Sequence, residues 1–382
     1  MVCGGGDYLA RAAVKFHFPK IAGFVLATAV LVLLFIATRT RAGVYTSEKA
    51  IWSDTVKNNP TAWMAWNNLG NAFAADGETD PSIGAYEQAL ALNPSFPDAE
   101  SNLGNALVGK GRLGEAVLHL QKAVEEEPRM AKFHFNYGVG LAAQGKLDEA
   151  LAQYQKAIEL RPAMPDVRNN LANIFIQKKQ YTEALQQAQW SIQLKPTLAE
   201  PYLNAAKALA ALGRLDEAAQ NFETHLKMRP KNAGAHYEYG LMLAMHGNLA
   251  QALPHFQAVV RLQPNEPAGH SSLGNTLAAL KRTEEAVSEF RIALRLQPQD
   301  PLNHNNLANA LMEQGKFDEA IDHYATSLML NANDPVTHVN YGYALLRQNH
   351  HAEAIAQLRE ALRLKPGDPA IQQQLDAAQR QN

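Results

Sequence analysis

The chain has 382 residues, of which 47% are hydrophobic and 19% are charged, a composition typical of a folded protein. Its 35 basic and 37 acidic side chains give a formal net charge of −2, and it has no long basic tract, so no nucleic acid partner is expected. A single cysteine, Cys3, excludes an internal disulfide and a cysteine-rich metal site.

The first distinct feature is an uncharged run of 18 residues, from Ile21 to Thr38, after an N-terminal segment of residues 1–20. Its length predicts a transmembrane helix over residues 21–38, and hence a single-pass membrane protein. A cleaved signal peptide and a buried helix of a soluble protein remain alternatives. Basic residues are balanced on the two sides of the run, so they leave the orientation open.

A period of 34 residues fills the rest of the chain. Prolines recur at this interval, with Ala332 in place of one of them, at Pro60, Pro94, Pro128, Pro162, Pro196, Pro230, Pro264, Pro298 and Pro366. A second column is alanine in every repeat but the first, which has Ser82, and a third contains only glycine or alanine, from Gly70 to Gly342. The spacing predicts nine repeats over residues 61–366.

Within each repeat the residue types predict two helices and their ends. Glycines such as Gly77 and Gly111 suit the left-handed conformation that ends a first helix. Acidic residues such as Asp80 and Asp148 are expected to cap the second helix. Prolines in the column of Pro97 suit the opening turn of the next first helix.

These columns resemble the tetratricopeptide repeat. Trp66, Leu69 and Gly70 match its opening pattern, and later repeats keep the small, aromatic and proline positions. The resemblance implies an all-α superhelical solenoid of nine helix-turn-helix repeats, here preceded by one transmembrane helix. Residues 43–60 are predicted to form a partial repeat that caps the N-terminal end, and the glutamine-rich residues 367–382 a C-terminal capping helix.

The repeats leave no room for a catalytic domain, so the chain is predicted not to be an enzyme and no cofactor is expected. A histidine column recurs at His134, His236, His270, His304 and His338. Equivalent residues of stacked repeats lie about 10 Å apart, too far to share one zinc ion. The family often places tryptophan in this column, so a packing role is expected and no metal site is predicted.

In this family the first helix of each repeat lines the concave surface. Two asparagine columns on that helix predict a partner-binding groove, because a carboxamide both donates and accepts hydrogen bonds and can hold an extended peptide backbone. The run resembles the asparagine ladder of O-linked N-acetylglucosamine transferases. Common usage within the family is the alternative explanation. The asparagines are Asn68, Asn71, Asn102, Asn105, Asn136, Asn170, Asn173, Asn204, Asn275, Asn306, Asn309 and Asn340.

The asparagine run is interrupted at Glu238 and Ser272, and a patch of apolar residues lies on the same predicted face: Phe135, Val139, Leu203, Tyr237, Leu241 and Met245. They are predicted either to hold a partner's apolar side chains or to contact adjacent first helices. The column of Asn67, Phe135 and Tyr237 contains no cation, which excludes the grip on a terminal carboxylate used by chaperone-binding members of the family.

The predicted function is a membrane-anchored scaffold that binds proteins or extended peptides in the groove. The segment from Tyr45 to Pro60 also resembles the junction in transmembrane and tetratricopeptide-repeat-containing glycosyltransferases, whose repeats face the exterior or the lumen. That resemblance implies an alternative, the repeat portion of a membrane protein-glycosylation system without its own catalytic domain. It also favours an exterior, periplasmic or lumenal position for the repeats.

Overall fold

The computed structural model describes residues 20–44 and 46–381, which form α-helices joined by short turns and contain no β-strand. The chain divides into two compact units, Met1–Ala163 and Met164–Asn382. The helices of the first unit are α1 (Lys20–Val44), α2 (Glu48–Asn58), α3 (Trp63–Ala75), α4 (Thr79–Leu92), α5 (Pro97–Gly109), α6 (Leu113–Glu126), α7 (Ala131–Ala143) and α8 (Leu147–Leu160). The prediction of an all-α fold is confirmed.

The second unit continues the alternation of first and second helices. Its helices are α9 (Pro165–Gln177), α10 (Tyr181–Leu194), α11 (Glu200–Ala211), α12 (Leu215–Met228), α13 (Ala233–Met245), α14 (Leu249–Leu262), α15 (Pro267–Ala279), α16 (Thr283–Leu296), α17 (Pro301–Glu313), α18 (Phe317–Leu330), α19 (Pro335–Arg347), α20 (His351–Leu364) and α21 (Pro369–Gln381).

The predicted transmembrane helix is wrong. Residues 21–38 lie in α1, but none of the described helices is both long and apolar enough to span a bilayer. The uncharged run would be about 27 Å long as a helix, short of a hydrocarbon core of about 30 Å. Lys20, Arg39 and Arg41 belong to the same helix. The single-pass membrane location, and the predicted attachment through residues 21–38, are therefore corrected. The predicted N-terminal segment lies, up to residue 19, outside the described residues.

The first helices end as the sequence predicts. Gly77, Gly111, Gly145, Gly213, Gly247 and Gly315 all have φ between 73° and 80°. Three other repeats place Lys179, Lys281 or Asn349 in the same column, with φ of 58° to 62°. The turn therefore keeps its left-handed residue even where the sequence has no glycine, at the steric cost that a side chain brings to this conformation.

The predicted caps of the second helices are wrong. The cap position of α4 is Glu78, and that of α8 is Lys146, neither with a side-chain cap bond. Asp80 and Asp148 lie two residues after the cap, within the first turn, where a negative charge is favourable beside the helix N-terminus. Asp80 instead pairs with Lys110 at 2.8 Å, which links neighbouring repeats.

The small columns lie at the contact between the two helices of a repeat. A Cβ atom on Gly70 would lie 2.5 Å from the Tyr86 ring, and one on Gly138 would lie 2.5 Å from the Tyr154 ring. In the alanine column, Ala116 and Ala218 are fully buried. Only small residues fit here, so the helices approach closely and each repeat presents its first helix in the same orientation.

Candidate functional site

Three columns of side chains lie along the first helices, and we call the surface that they form within each unit the first-helix face; some of their members, such as Asn67, Ser101 and Asn204, are buried. The Asn68 column consists of Asn68, Asn102, Asn136, Asn170, Asn204, Glu238, Ser272, Asn306 and Asn340. The Asn67 column consists of Asn67, Ser101, Phe135, Asn169, Leu203, Tyr237, Ser271, Asn305 and Val339. The Asn71 column consists of Asn71, Asn105, Val139, Asn173, Lys207, Leu241, Asn275, Asn309 and Tyr343.

In the first unit, the Asn68 column contacts the preceding first helix. Asn102 Nδ2 donates to Asn67 Oδ1 at 3.0 Å and to Asn71 Oδ1 at 3.1 Å. Asn136 Nδ2 donates to Ser101 Oγ at 2.8 Å. These residues lie 35 or 31 positions apart, so the same step links one repeat to the next.

The second unit repeats these contacts. Asn204 Nδ2 donates to Asn169 Oδ1 at 2.9 Å, and Asn306 Nδ2 donates to Asn275 Oδ1 at 3.0 Å. Asn340 Nδ2 donates to Asn309 Oδ1 at 3.1 Å. The carboxamides thus form a hydrogen-bonded row between first helices, a structural role that the sequence pattern alone did not reveal.

Where the Asn68 column lacks asparagine, a different pair makes the same step. Glu238 pairs with Lys207, 31 residues earlier, at 2.7 Å. Ser272 donates to the Tyr237 hydroxyl, 35 residues earlier, at 3.5 Å. We call each such contact between the Asn68 column and the preceding first helix a node. Lys207 was not among the expected site residues, although reading the sequence at a spacing of 31 would have found it opposite Glu238.

Two tyrosines of the second helices bind asparagines of the Asn71 column. The Tyr86 hydroxyl donates to Asn71 Oδ1 at 2.9 Å, and that of Tyr324 donates to Asn309 Oδ1 at 2.6 Å. Burial raises the pKa of Tyr86 to about 12, so this hydroxyl keeps its proton at neutral pH. Because Asn71 Oδ1 also accepts from Asn102, its Nδ2 is the group left to face solvent.

The hydrogen bonds give the face a defined polarity. Asn102, Asn136 and Asn204 use Nδ2 within the protein and keep Oδ1 as an acceptor. Asn105 and Asn173 are exposed and make no side-chain hydrogen bond to other described residues. Their repeats have no tyrosine at the position of Tyr86. Donors and acceptors are thus both available along the face.

The apolar interruptions are half-buried rather than free. In the first unit, the Phe135 ring lies 6.0 Å from that of Tyr154. In the second unit, Leu203 and Tyr237 pack against the hydrophobic core, and only Met245 stands well out, with 80% of its surface exposed. Contact with the repeat's own core therefore accounts for much of this apolar set, and Met245 is its exposed member.

The histidine column anchors the turn between repeats. The Nε2 atoms of His134, His270 and His304 lie 2.9 to 3.0 Å from the carbonyl oxygen six residues earlier. Trp66 Nε1 donates to Pro60 in the same way, at 2.8 Å. The tryptophan and histidine members thus share a ring N–H that reaches this carbonyl, and Tyr202 donates its hydroxyl to Pro196 at 3.2 Å instead. Among the described residues, no group of three or more histidine, cysteine or acidic side chains is placed to hold a metal.

Comparison with solved structures finds repeat proteins of low identity. The TPR protein YrrB, whose crystal structure is described as having an unusual peptide-binding site, is 24% identical over 48% of this chain and 95% of its own, with a TM-score of 0.42. A tetratricopeptide repeat protein from Parabacteroides merdae is 17% identical over 65% and 98%, with a TM-score of 0.49. Pseudomonas aeruginosa pilF is 16% identical over 57% and 97%, with a TM-score of 0.48. Comparison with curated proteins finds no match.

Family models match most of the chain. The model described as tetratricopeptide repeat matches residues 101–165, 138–198, 203–267, 246–301, 271–336 and 305–369, and one described as TPR repeat matches residues 70–111. This repeat fold is generally a non-catalytic scaffold for protein–protein interaction. Together with the paired helices and the small columns at their contacts, these matches show that the chain belongs to the tetratricopeptide-repeat family.

Proposed function

We propose that the first-helix face binds an extended peptide segment of a partner protein through its backbone. The observation that carries this proposal is the fixed polarity of the carboxamides. Asn102 keeps an acceptor after donating to the preceding repeat, and Asn71 keeps a donor after accepting twice. A peptide backbone offers one donor and one acceptor per residue, so such a surface complements it without selecting side chains.

The spacing of the repeats supports the same contact. First helices about 10 Å apart match about three residues of extended chain, so successive repeats can contact equivalent backbone groups. The likeness of the asparagine run to that of O-linked N-acetylglucosamine transferases agrees with this use. The alternative, a part of a glycosylation system, has no supporting observation among the described residues.

The test must separate binding from the hydrogen bonds that join repeats. Replacing Asn102 or Asn204 with alanine would remove both, because each donates to the preceding first helix. Asn105 and Asn173 are better targets, since their exposed carboxamides make no such bond among the described residues. Asn105→Ala in the first unit and, separately, Asn173→Ala in the second unit should therefore leave the thermal midpoint unchanged.

Peptides retained from an array of extended, uncharged sequences would be titrated by calorimetry against the wild type and each single variant. A lost hydrogen bond contributes about 0.5–1.5 kcal/mol net, so each variant should weaken binding by its own unit about two- to tenfold. The matched controls are Gln155→Ala for the first unit and Gln189→Ala for the second, exposed amides on the second helices α8 and α10. Equal affinity for the wild type, the two variants and the two controls would refute backbone binding by this face.

A further inference from the structure

Three of the second helices, α6, α12 and α16, begin with the same ion pair. The basic residue at the cap position binds the glutamate three residues later: Arg112 binds Glu115 at 2.6 Å, and Arg282 binds Glu285 at 2.7 Å. Arg214 and Glu217 form the same pair at 2.7 Å. In these helices the cation is therefore neutralised within its own first turn.

Helix α18 departs from this arrangement. Lys316 is at its cap position and Glu319 follows three residues later, but Glu319 pairs instead with Arg291 of the preceding second helix, α16. Lys316 consequently has no ion pair among the described residues. Arg295, one turn after Arg291 on α16, is exposed and also has none there. Lys316 and Arg295 therefore lack an ion-pair partner among the described residues, whereas Arg291 is paired with Glu319.

These cations line a cavity of about 620 Å³ between α16 and the turn from α17 to α18, within the size range of small-molecule sites. Ser288 and Gln314 also line it, and Glu284 is its one acidic lining residue. An adjoining cavity of about 330 Å³ shares Arg291 and Arg295 and reaches His304 and His323.

We propose that this cavity binds a small phosphate-bearing molecule, held by Arg295 and Lys316 with Ser288 as a hydroxyl donor. Guanidinium and ammonium groups are the usual protein ligands of phosphate oxygens, and a dianion satisfies two unpaired cations at once. Glu284 can accept from a hydroxyl of the bound molecule. The site is formed by α16 and the turn before α18 and is independent of the peptide-binding proposal for the first-helix face.

The test uses pyrophosphate as the probe, with the full chain at about 0.15 M salt so that weak surface attraction is screened. Arg295→Gln and Lys316→Gln change exposed side chains and should not alter the thermal midpoint. Binding measured by calorimetry should weaken about tenfold in each variant and disappear in the double variant. Arg261→Gln is the matched control, because Arg261 is the equivalent of Arg295 in α14 and does not line the cavity; it should bind as the wild type does.

A second measurement locates the bound anion. Burial, His304 and Arg291 lower the pKa of His323, while Glu319 and Asp322 act in the opposite direction. An anion near Arg291 and Arg295 should raise this pKa, which NMR of the histidine ring protons can follow. Lack of saturable pyrophosphate binding, unchanged binding in the double variant, or binding without a shift at His323 would each overturn the proposal.

Discussion

Two nodes of the first-helix face make the same step with different chemistry. In the first unit, Asn102 bridges to Asn71 through neutral carboxamides at 3.1 Å. In the second unit, Glu238 bridges to Lys207 through an ion pair at 2.7 Å. Both pairs are 31 residues apart. The repeat geometry therefore fixes which two positions meet, while the residues there remain free to differ in charge and hydrogen bonding.

The largest expected effect concerns the helix contact beneath each node. Ala116→Leu alters α6, which packs on the helix carrying Asn102, and Ala218→Leu alters α12, which packs on the helix carrying Lys207. Both alanines are fully buried, so the added carbons have no space, and each variant should lose about 1–3 kcal/mol of unfolding free energy. Urea denaturation monitored by circular dichroism would measure it.

Ala211→Leu is the control, because Ala211 is an exposed residue of α11 and leucine suits a helix. It should change the unfolding free energy little. If only one of the two buried variants were destabilised, the packing between the two helices of a repeat would differ between the units. The two nodes would then not be equivalent.

A medium effect is expected from acid, and it should differ between two equivalent histidine contacts, one in each unit. His134 contacts Gln153 at 2.7 Å, whereas His236 contacts His255 with 3.0 Å between the two Nδ1 atoms. Burial, followed by the nearby His236, lowers the pKa of His255 to about 4, and Glu223 opposes this. Burial also lowers the pKa of His236, and the hydrogen bond to Pro230 opposes this, while Arg261 and His225 add to the lowering.

The folded state therefore binds fewer protons than the unfolded state, in which histidine has a pKa of about 6.5. The contribution of this histidine pair to the unfolding free energy is therefore complete above that pH. It falls by about 1–3 kcal/mol as the pH falls towards 4. His255→Gln reproduces the arrangement of His134 and Gln153 and should remove this part of the loss between pH 7 and pH 4.5. An equal acid loss in both proteins, measured by urea denaturation, would show that the histidine pair is not its source.

Much of the fold could be predicted from single positions. Pro97 marks the beginning of a helix and Gly77 the end of one, because the fixed φ of proline and the left-handed conformation of glycine are properties of single residues. Gly70 marks a close helix contact because no larger side chain fits there. The caps could not be predicted in the same way. Asp80 has the residue type of a cap, but the helix begins one residue earlier and a lysine of the next repeat binds its carboxylate.

The site was only partly predictable for a related reason. The columns of Asn68 and Asn71 were visible in the sequence, but their mutual hydrogen bonds depend on residues in successive repeats. Tyr86 could not be placed on this face from its own column, because it belongs to a second helix and reaches Asn71 from behind. The membrane prediction rested on one apolar run at the lower limit of a spanning length. A run that is only a few residues too short was therefore enough to make it wrong.

The smallest expected effect tests the comparison itself. Lys207→Asn combined with Glu238→Asn would place in the second unit the carboxamide pair that the first unit has at Asn71 and Asn102. The side chains of Lys207 and Glu238 are 30% and 38% exposed, and ion pairs at such positions contribute about 0–1 kcal/mol. An asparagine pair at the same step regains a hydrogen bond of similar size, so the unfolding free energy should change by less than about 0.5 kcal/mol.

Salt should distinguish the two proteins, since high ionic strength weakens the ion pair and not the carboxamide bond. The wild type should therefore lose slightly more stability than the variant between about 0.05 M and 1 M salt. A loss above about 1 kcal/mol in the variant at low salt would mean that the ion pair has a role beyond joining the repeats, and that the two nodes are not interchangeable.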